Sequence, residues 1–235
     1  MTAPLEIIYS DQDIIVLNKP PGIAVHGGGS VAGKTIVDFL RDRFPEIRGV
    51  GDEPATRPGI AHRLDKDTSG VMVAARNQQS FEALKNIFKN RLAHKVYWAI
   101  VCGVPKKNVG VIALAIGRLA KNPTKRGVAQ GRNLIKGGRE AITEYRVLKS
   151  GAGYSLVELR PKTGRMHQLR VHLASIGNPV ACDRVYGGKN ICCPAGISRQ
   201  LLHARSLSFS LAEGRRFSFE ADPPEDFALA LSTVF

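Results

Sequence analysis

Two apolar runs, residues 141–148 and 155–159, stand on either side of Gly151-Ala152-Gly153, and no other feature restricts the fold of this chain so tightly. Runs rich in Val, Tyr and Leu around a short glycine-containing break form an antiparallel hairpin. Ile7-Ile8-Tyr9 and Ile14-Ile15-Val16-Leu17, around Asp11-Gln12-Asp13, read as two more strands. Residues 96–101, closed by Gly103, read as a buried strand, and residues 207–211 with 216–220 as a last hairpin. Helical spacing recurs in residues 35–44, in Phe81, Leu84, Ile87 and Phe88, and in Met166, Leu169, Leu173 and Ile176, which stops at Gly177 and Pro179. A short helix is expected after Pro223-Pro224. Hairpins with interspersed helices predict an α+β fold: a central mixed, largely antiparallel sheet with flanking helices.

Charge narrows the partner. The 235 residues carry a net charge of +14 and are 43% hydrophobic, enough for a sizeable core. Residues 111–139 hold no acidic residue but carry Arg118, Lys121, Lys125, Arg126, Arg132, Lys136 and Arg139. Arg160, Lys162, Arg165 and Arg170 form a second cluster. Glycines and Pro123 interrupt the first cluster, so it is not a membrane-surface helix; a basic loop or ribbon along a polyanion backbone fits it better. No apolar run is long enough to span a bilayer, and Glu6, Asp11 and Asp13 argue against an organellar leader. Cys102, Cys182, Cys192 and Cys193 lack C-x-x-C spacing and are expected as reduced thiols in a cytoplasmic monomer.

Chemistry concentrates in His62-Arg63-Leu64-Asp65-Lys66-Asp67-Thr68-Ser69-Gly70, which runs into apolar Val71-Met72-Val73-Ala74-Ala75. Asp65 lies between two cations, which favours an ionised carboxylate able to act as nucleophile or base. The plainer reading is a charged surface turn with local hydrogen bonds. Further blocks, in chain order, are Leu17-Asn18-Lys19-Pro20-Pro21-Gly22 with Val25-His26; Lys95-Val96-Tyr97-Trp98-Ala99; Pro161-Lys162-Thr163-Gly164-Arg165-Met166-His167-Gln168-Leu169-Arg170-Val171-His172-Leu173-Ala174; Gly177-Asn178-Pro179-Val180 with Asp183 and Tyr186-Gly187; and Leu201-Leu202-His203-Ala204. In these blocks, and in their order, the chain resembles the RluA-type pseudouridine synthases. Two positions depart from that pattern: Met166 replaces a small hydroxyl residue, and Cys182 stands where glycine is more usual.

The resemblance implies one catalytic domain over residues 1–235 without the small S4-like RNA-binding domain of many relatives. It implies isomerisation of uridine in structured RNA, ribosomal ahead of transfer RNA, with no metal or other cofactor. Asp65 would be the nucleophile acting on a flipped-out uridine, by a route the residues leave open. Arg170 would be its electrostatic partner and Tyr97 the group stacked on the base. Trp98, on the opposite strand face, would be packing. His62 and Arg63 are expected near the flipped base or flanking phosphates, Lys125 and Arg126 on the RNA backbone, and Arg165, read at a helix start, on a phosphate. On a shared helix Arg165 and Arg170 would point roughly 140° apart. His167 and His172 are read as hydrogen-bonding residues, five apart, without metal-ligand spacing.

Two rival patterns exist. Gly28-Gly29-Ser30-Val31-Ala32-Gly33-Lys34-Thr35 matches the phosphate-loop pattern of NTPases, though the strand before it is thin and no later acidic strand end suits magnesium. Asp65-Lys66-Asp67-Thr68 imitates an aspartyl-phosphatase motif without the apolar strand that should precede it. A non-catalytic RNA-binding or ribosome-assembly protein would explain the charge but not the joint presence of Asp65, Tyr97 and Arg170.

Overall fold

The computed structural model describes residues 5–27, 33–129, 135–189, 191–211 and 214–235. In chain order the elements are β1 (Glu6–Ser10), β2 (Ile14–Lys19), α1 (Ile36–Arg43), β3 (Ser69–Ala75), α2 (Gln78–Lys89), β4 (His94–Cys102), β5 (Val109–Ala113), β6 (Ile116–Leu119), β7 (Asn122–Val128) and β8 (Ile135–Arg139). Then come β9 (Ile142–Gly151), β10 (Tyr154–Pro161), α3 (Gln168–Ser175), β11 (Leu202–Ser210), β12 (Arg216–Glu220) and α4 (Glu225–Val234). Antiparallel pairing dominates and helices are few, so the fold is α+β as expected.

Residues cluster into two compact units, one of Met1–Lys95 with Ala204–Pro223 and one of Val96–His203 with Pro224–Phe235. The division passes through β4 and β11, so both strands contribute residues to each unit.

In the first unit β2 pairs antiparallel with β1 and with β3, and β11 with β12. Every residue of β3 is buried, as an apolar run flanked on both faces requires. Its own core joins Val71, Val73 and Ala75 to Phe81, Leu84 and Ile87 on one face of α2. Asn77 starts that helix by accepting the Ser80 amide on its side chain. Gly70 is required where β3 opens: its φ is +114°, and a Cβ there would lie 2.2 Å from the Ala204 carbonyl oxygen.

In the second unit β10 pairs antiparallel with β4 and with β9, and β9 with β5. The expected hairpin is β9–β10, turning through Ala152 (φ 47°) and Gly153 (φ 79°), the positive-φ pair that suits the twist of two antiparallel strands. A separate sheet of order β7-β6-β8 occupies residues the periodicity did not mark as strands. The described residues of the basic stretch from Ile116 to Arg139 thus form a three-stranded ribbon.

Two expectations need correction. The helix carrying Arg170 begins at Gln168, so Arg165 and Met166 precede it and the angular argument relating Arg165 to Arg170 does not apply. The cysteines are not thiols: Cys102 bonds Cys192 and Cys182 bonds Cys193, and none of the four is free. The end of β4 and the turn after α3 both reach residues 192–193, a proximity that linear spacing hides. Each link restricts the unfolded chain, an effect typically of about 2–4 kcal/mol. Among the described residues no helix is long and apolar enough to cross a membrane.

Candidate active site

The backbone after Asp65 is fixed by a buried cation. Lys19, at the end of β2, is fully buried, and its Nζ donates to the carbonyls of Pro20, Ile23 and Lys66, each at 2.8 Å. Burying an ammonium is costly unless its donors are satisfied, and these three oxygens satisfy them. The Gly22 amide donates to the same Lys66 carbonyl at 3.0 Å. Gly22 reaches it through a turn at φ +83° that only glycine adopts readily. The Thr68 amide donates to the Asp65 carbonyl at 3.1 Å, which closes the loop into a tight turn. Thr68 Oγ1 is buried with no hydrogen-bond partner among the described residues. Asp65 itself is half-buried. In the sequence Lys19 stands out only as part of its block; its role rests on a contact 47 residues away.

His62 supports this loop from the scaffold side. Its ring stacks on Phe88 at 4.2 Å, and its Nε2 accepts the Val73 amide of β3 at 3.1 Å. Burial, then the charge of Lys95, pushes its pKa down to about 3, so the imidazole is neutral at pH 7. Lys95 is itself lowered to about 8 by burial. Arg63 is exposed and meets His26 Nε2 through Nη1 at 3.0 Å. A neutral His62 offers no positive charge to phosphate; Arg63 does.

In the second unit Gln168 organises the approach to α3. Its Oε1 accepts the Thr163 hydroxyl at 2.7 Å and the Arg165 amide at 2.9 Å, and its Nε2 donates to the Ile142 carbonyl and Thr143 Oγ1, both at 3.0 Å. His167 then turns the chain through a left-handed conformation, and the helix starts. One turn in, Arg170 is buried and donates from Nε to Asp183 Oδ2 at 2.7 Å and from Nη2 to Asp183 Oδ1 at 2.9 Å. Burial alone would raise the Asp183 pKa. Hydrogen bonds and charge from Arg170, with the Val185 and Tyr186 amides, outweigh it and hold the carboxyl below its usual range. The Tyr186 ring lies 5.1 Å from the guanidinium, and its hydroxyl meets His167 Nδ1 at 2.8 Å. The motif that holds Asp183 and Tyr186 does not by itself disclose these contacts, which join residues 13 and 19 positions apart.

Tyr97 is half-buried on β4 opposite Leu159, against the cluster that contains Leu169 and Leu173 of α3. Trp98 packs into a different cluster with Phe227 and Leu201, which matches the expected alternation. His172 is buried between Thr143 Oγ1 (2.9 Å) and the Leu114 carbonyl (3.0 Å), a structural use. Arg165 reaches the Glu140 carbonyl through Nε at 3.1 Å, beside the ribbon.

On that ribbon Arg118 lies in register with Arg126 on one side and Lys136 on the other. Arg118, Lys136 and Arg139 are exposed. Lys125 and Arg126 are half-buried: Lys125 Nζ reaches the Val185 carbonyl at 3.4 Å, and the Arg126 amide donates to the Tyr186 hydroxyl at 3.2 Å. Arg132 lies outside the described residues. Gly28 to Ala32 of the phosphate-loop pattern lie outside them too; of its remainder, Thr35 is occupied in a reciprocal capping box with Asp38 at the start of α1.

The model of the RNA pseudouridylate synthase family matches residues 13–175. An uncharacterised RNA pseudouridine synthase of Synechocystis is 39% identical over 208 residues, covering 87% of this chain and 61% of its own length. The ribosomal large subunit pseudouridine synthase D of Borreliella burgdorferi is 39% identical over 235 residues, covering 99% of this chain and 69% of its own. The chain therefore spans under two thirds of the first relative and somewhat more of the second. Among solved structures, the human RNA pseudouridylate synthase domain containing 1 protein superposes with TM-score 0.77 at 28% identity, over 94% of this chain and 84% of that one. The human domain containing 4 protein gives 0.76 at 29%, over 97% and 92%.

Proposed function

The chain belongs to the RNA pseudouridylate synthase family, and on that footing we propose that it isomerises one or a few uridines of a structured RNA to pseudouridine. Asp65 is the nucleophile, Arg170 its electrostatic partner, and Tyr97 the ring that stacks on the flipped base. Residues 1–235 serve as one catalytic domain. The observation that carries the reading is the buried Lys19 ammonium, which pins the Lys66 carbonyl and so holds the backbone beside Asp65. Such rigidity is what a nucleophile needs and a solvated surface turn does not.

The exposed arginines and lysines of the β6–β8 ribbon, with Arg63 and Arg165, contact RNA phosphates. They supply affinity without sequence choice. Ribosomal RNA is the favoured substrate, since the Borreliella relative is named for the ribosomal large subunit, and transfer RNA is the alternative. The test is tritium release from 5-³H-uridine in unmodified ribosomal and transfer RNA transcripts. Release from ribosomal RNA alone supports the whole reading. Release from transfer RNA alone keeps the chemistry and replaces the substrate, and release from neither rejects the activity.

A further inference from the structure

The four cysteines of the chain meet in the second unit, and the proposed reaction uses none of them. Cys192 and Cys193 are neighbours that bond away from each other, Cys192 to Cys102 at the end of β4 and Cys193 to Cys182. The second link, 11 residues apart in sequence, closes the loop that carries Asp183 and Tyr186. Asp183 follows Cys182 directly, and it is the buried residue that grips Arg170.

Cys182 lies in the left-handed backbone region, at φ +61°, which favours glycine. The chain nevertheless carries a buried cysteine there, its amide on the Cys192 carbonyl at 2.9 Å. A side chain at this position adds packing in the cluster of Ile100, Leu156 and Leu201, and the bond to Cys193. Between α3 and β11 the described residues form turns and one isolated bridge, Val101 to Val180, so the loop rests on individual contacts such as the Ala181 amide on the Ile100 carbonyl and Asp183 on Arg170. Cys193 is exposed.

We propose that the Cys182–Cys193 disulfide is a redox-sensitive staple that positions Asp183 and, through it, Arg170. Reduction of this bond lowers turnover without weakening RNA binding. The turnover arm rests on the reading of Arg170 as a residue of the reaction. A low-molecular-weight thiolate attacks Cys193 Sγ, the protein S–S bond breaks, and Cys182 leaves as a thiolate and takes up a proton. A second small thiolate attacks the small-molecule sulfur of the mixed disulfide. This frees Cys193 as a thiol and releases a small-molecule disulfide. Two electrons pass from the two small thiols to the protein. A disulfide-class oxidant reverses both steps. The neighbouring Cys102–Cys192 bond keeps residue 192 anchored to β4, so the loop end stays in place for re-closure.

The test compares the oxidised full chain with the same chain treated with reduced glutathione, its thiols counted by alkylation and mass spectrometry. Mild reduction should expose Cys182 and Cys193 first. Exchange of the Val185 and Tyr186 amides, which donate to Asp183 Oδ1, should then speed up by about tenfold or more. Single-turnover tritium release should fall by about tenfold or more, while RNA affinity stays within about twofold. The double variant Cys182→Gly/Cys193→Ser gives the left-handed position its preferred residue and should turn over equally with and without glutathione. Unchanged amide exchange and turnover after confirmed reduction would overturn the staple. So would four thiolates holding one zinc ion in native mass spectrometry of the chain as isolated. Full turnover in Arg170→Ala would sink the role of Arg170 instead, and amide exchange would still judge the staple by itself.

Discussion

Asp183 takes Arg170 with both carboxylate oxygens, and the two side chains are 0% and 6% exposed. A fork of this kind fixes the plane of the guanidinium as well as its position. Removing Asp183 takes both of these charge-assisted bonds from a buried guanidinium. Asp183→Ala should therefore destabilise the chain by about 3–5 kcal/mol in denaturant unfolding. Because the carboxyl is held below its usual pKa, its contribution is complete above about pH 4 and is lost as acid protonates it below that value. A variant as stable as the parent at pH 7 would contradict the clamp.

Neutral His62 makes stability pH-dependent with the same sign. The unfolded side chain takes a proton near pH 6.5, whereas the folded one resists to about pH 3. Its contribution is whole above pH 6.5 and drains away as pH falls towards 3, by up to about 1.4 kcal/mol per pH unit. The pKa of His172 is also lowered by burial and acts in the same direction, so the informative quantity is a difference. His62→Asn should flatten the slope of unfolding free energy between pH 7 and 5 relative to the parent; parallel slopes would count against a neutral His62 stacked on Phe88.

Lys19→Met fills similar volume but leaves the Pro20, Ile23 and Lys66 carbonyls without their shared donor. A loss of about 2–4 kcal/mol is expected. Tritium release should disappear even at temperatures where circular dichroism shows the variant folded. Retained turnover would mean that the backbone beside Asp65 does not need this anchor.

Much of this architecture is legible in local sequence. The hairpin at Gly151-Ala152-Gly153, the β3 run and the helices over Phe81–Leu84 and after Pro224 all follow from short-range periodicity. β6, β7 and β8 do not, because Ile135-Lys136-Gly137-Gly138-Arg139 alternates no apolar face and forms a strand through its partners alone. The helix of Arg170 is shorter than its apolar spacing suggests, since Gln168 turns its side chain back to hold Thr163 and Arg165. Asp65, Tyr97 and Arg170 are visible in motifs, whereas Lys19 and Asp183 act through partners distant in sequence. The disulfides depend on topology in the same way.

The ribbon carries a separate expectation. Replacing exposed Arg118, Lys136 and Arg139 by Ala should weaken RNA binding for every sequence tested and reduce the slope of log affinity against log salt by roughly 2–3. Fluorescence anisotropy across a salt series reads this directly. An unchanged slope would place the phosphate contacts elsewhere on the chain.

The central claim is that the Asp65 carboxylate performs the chemistry, and the most direct measurement is single-turnover tritium release by Asp65→Asn beside the parent chain on the same RNA. The amide is nearly isosteric, so the loop and RNA affinity should be preserved while release falls to background. Asp65→Asn that still releases tritium at the parental rate would contradict the account.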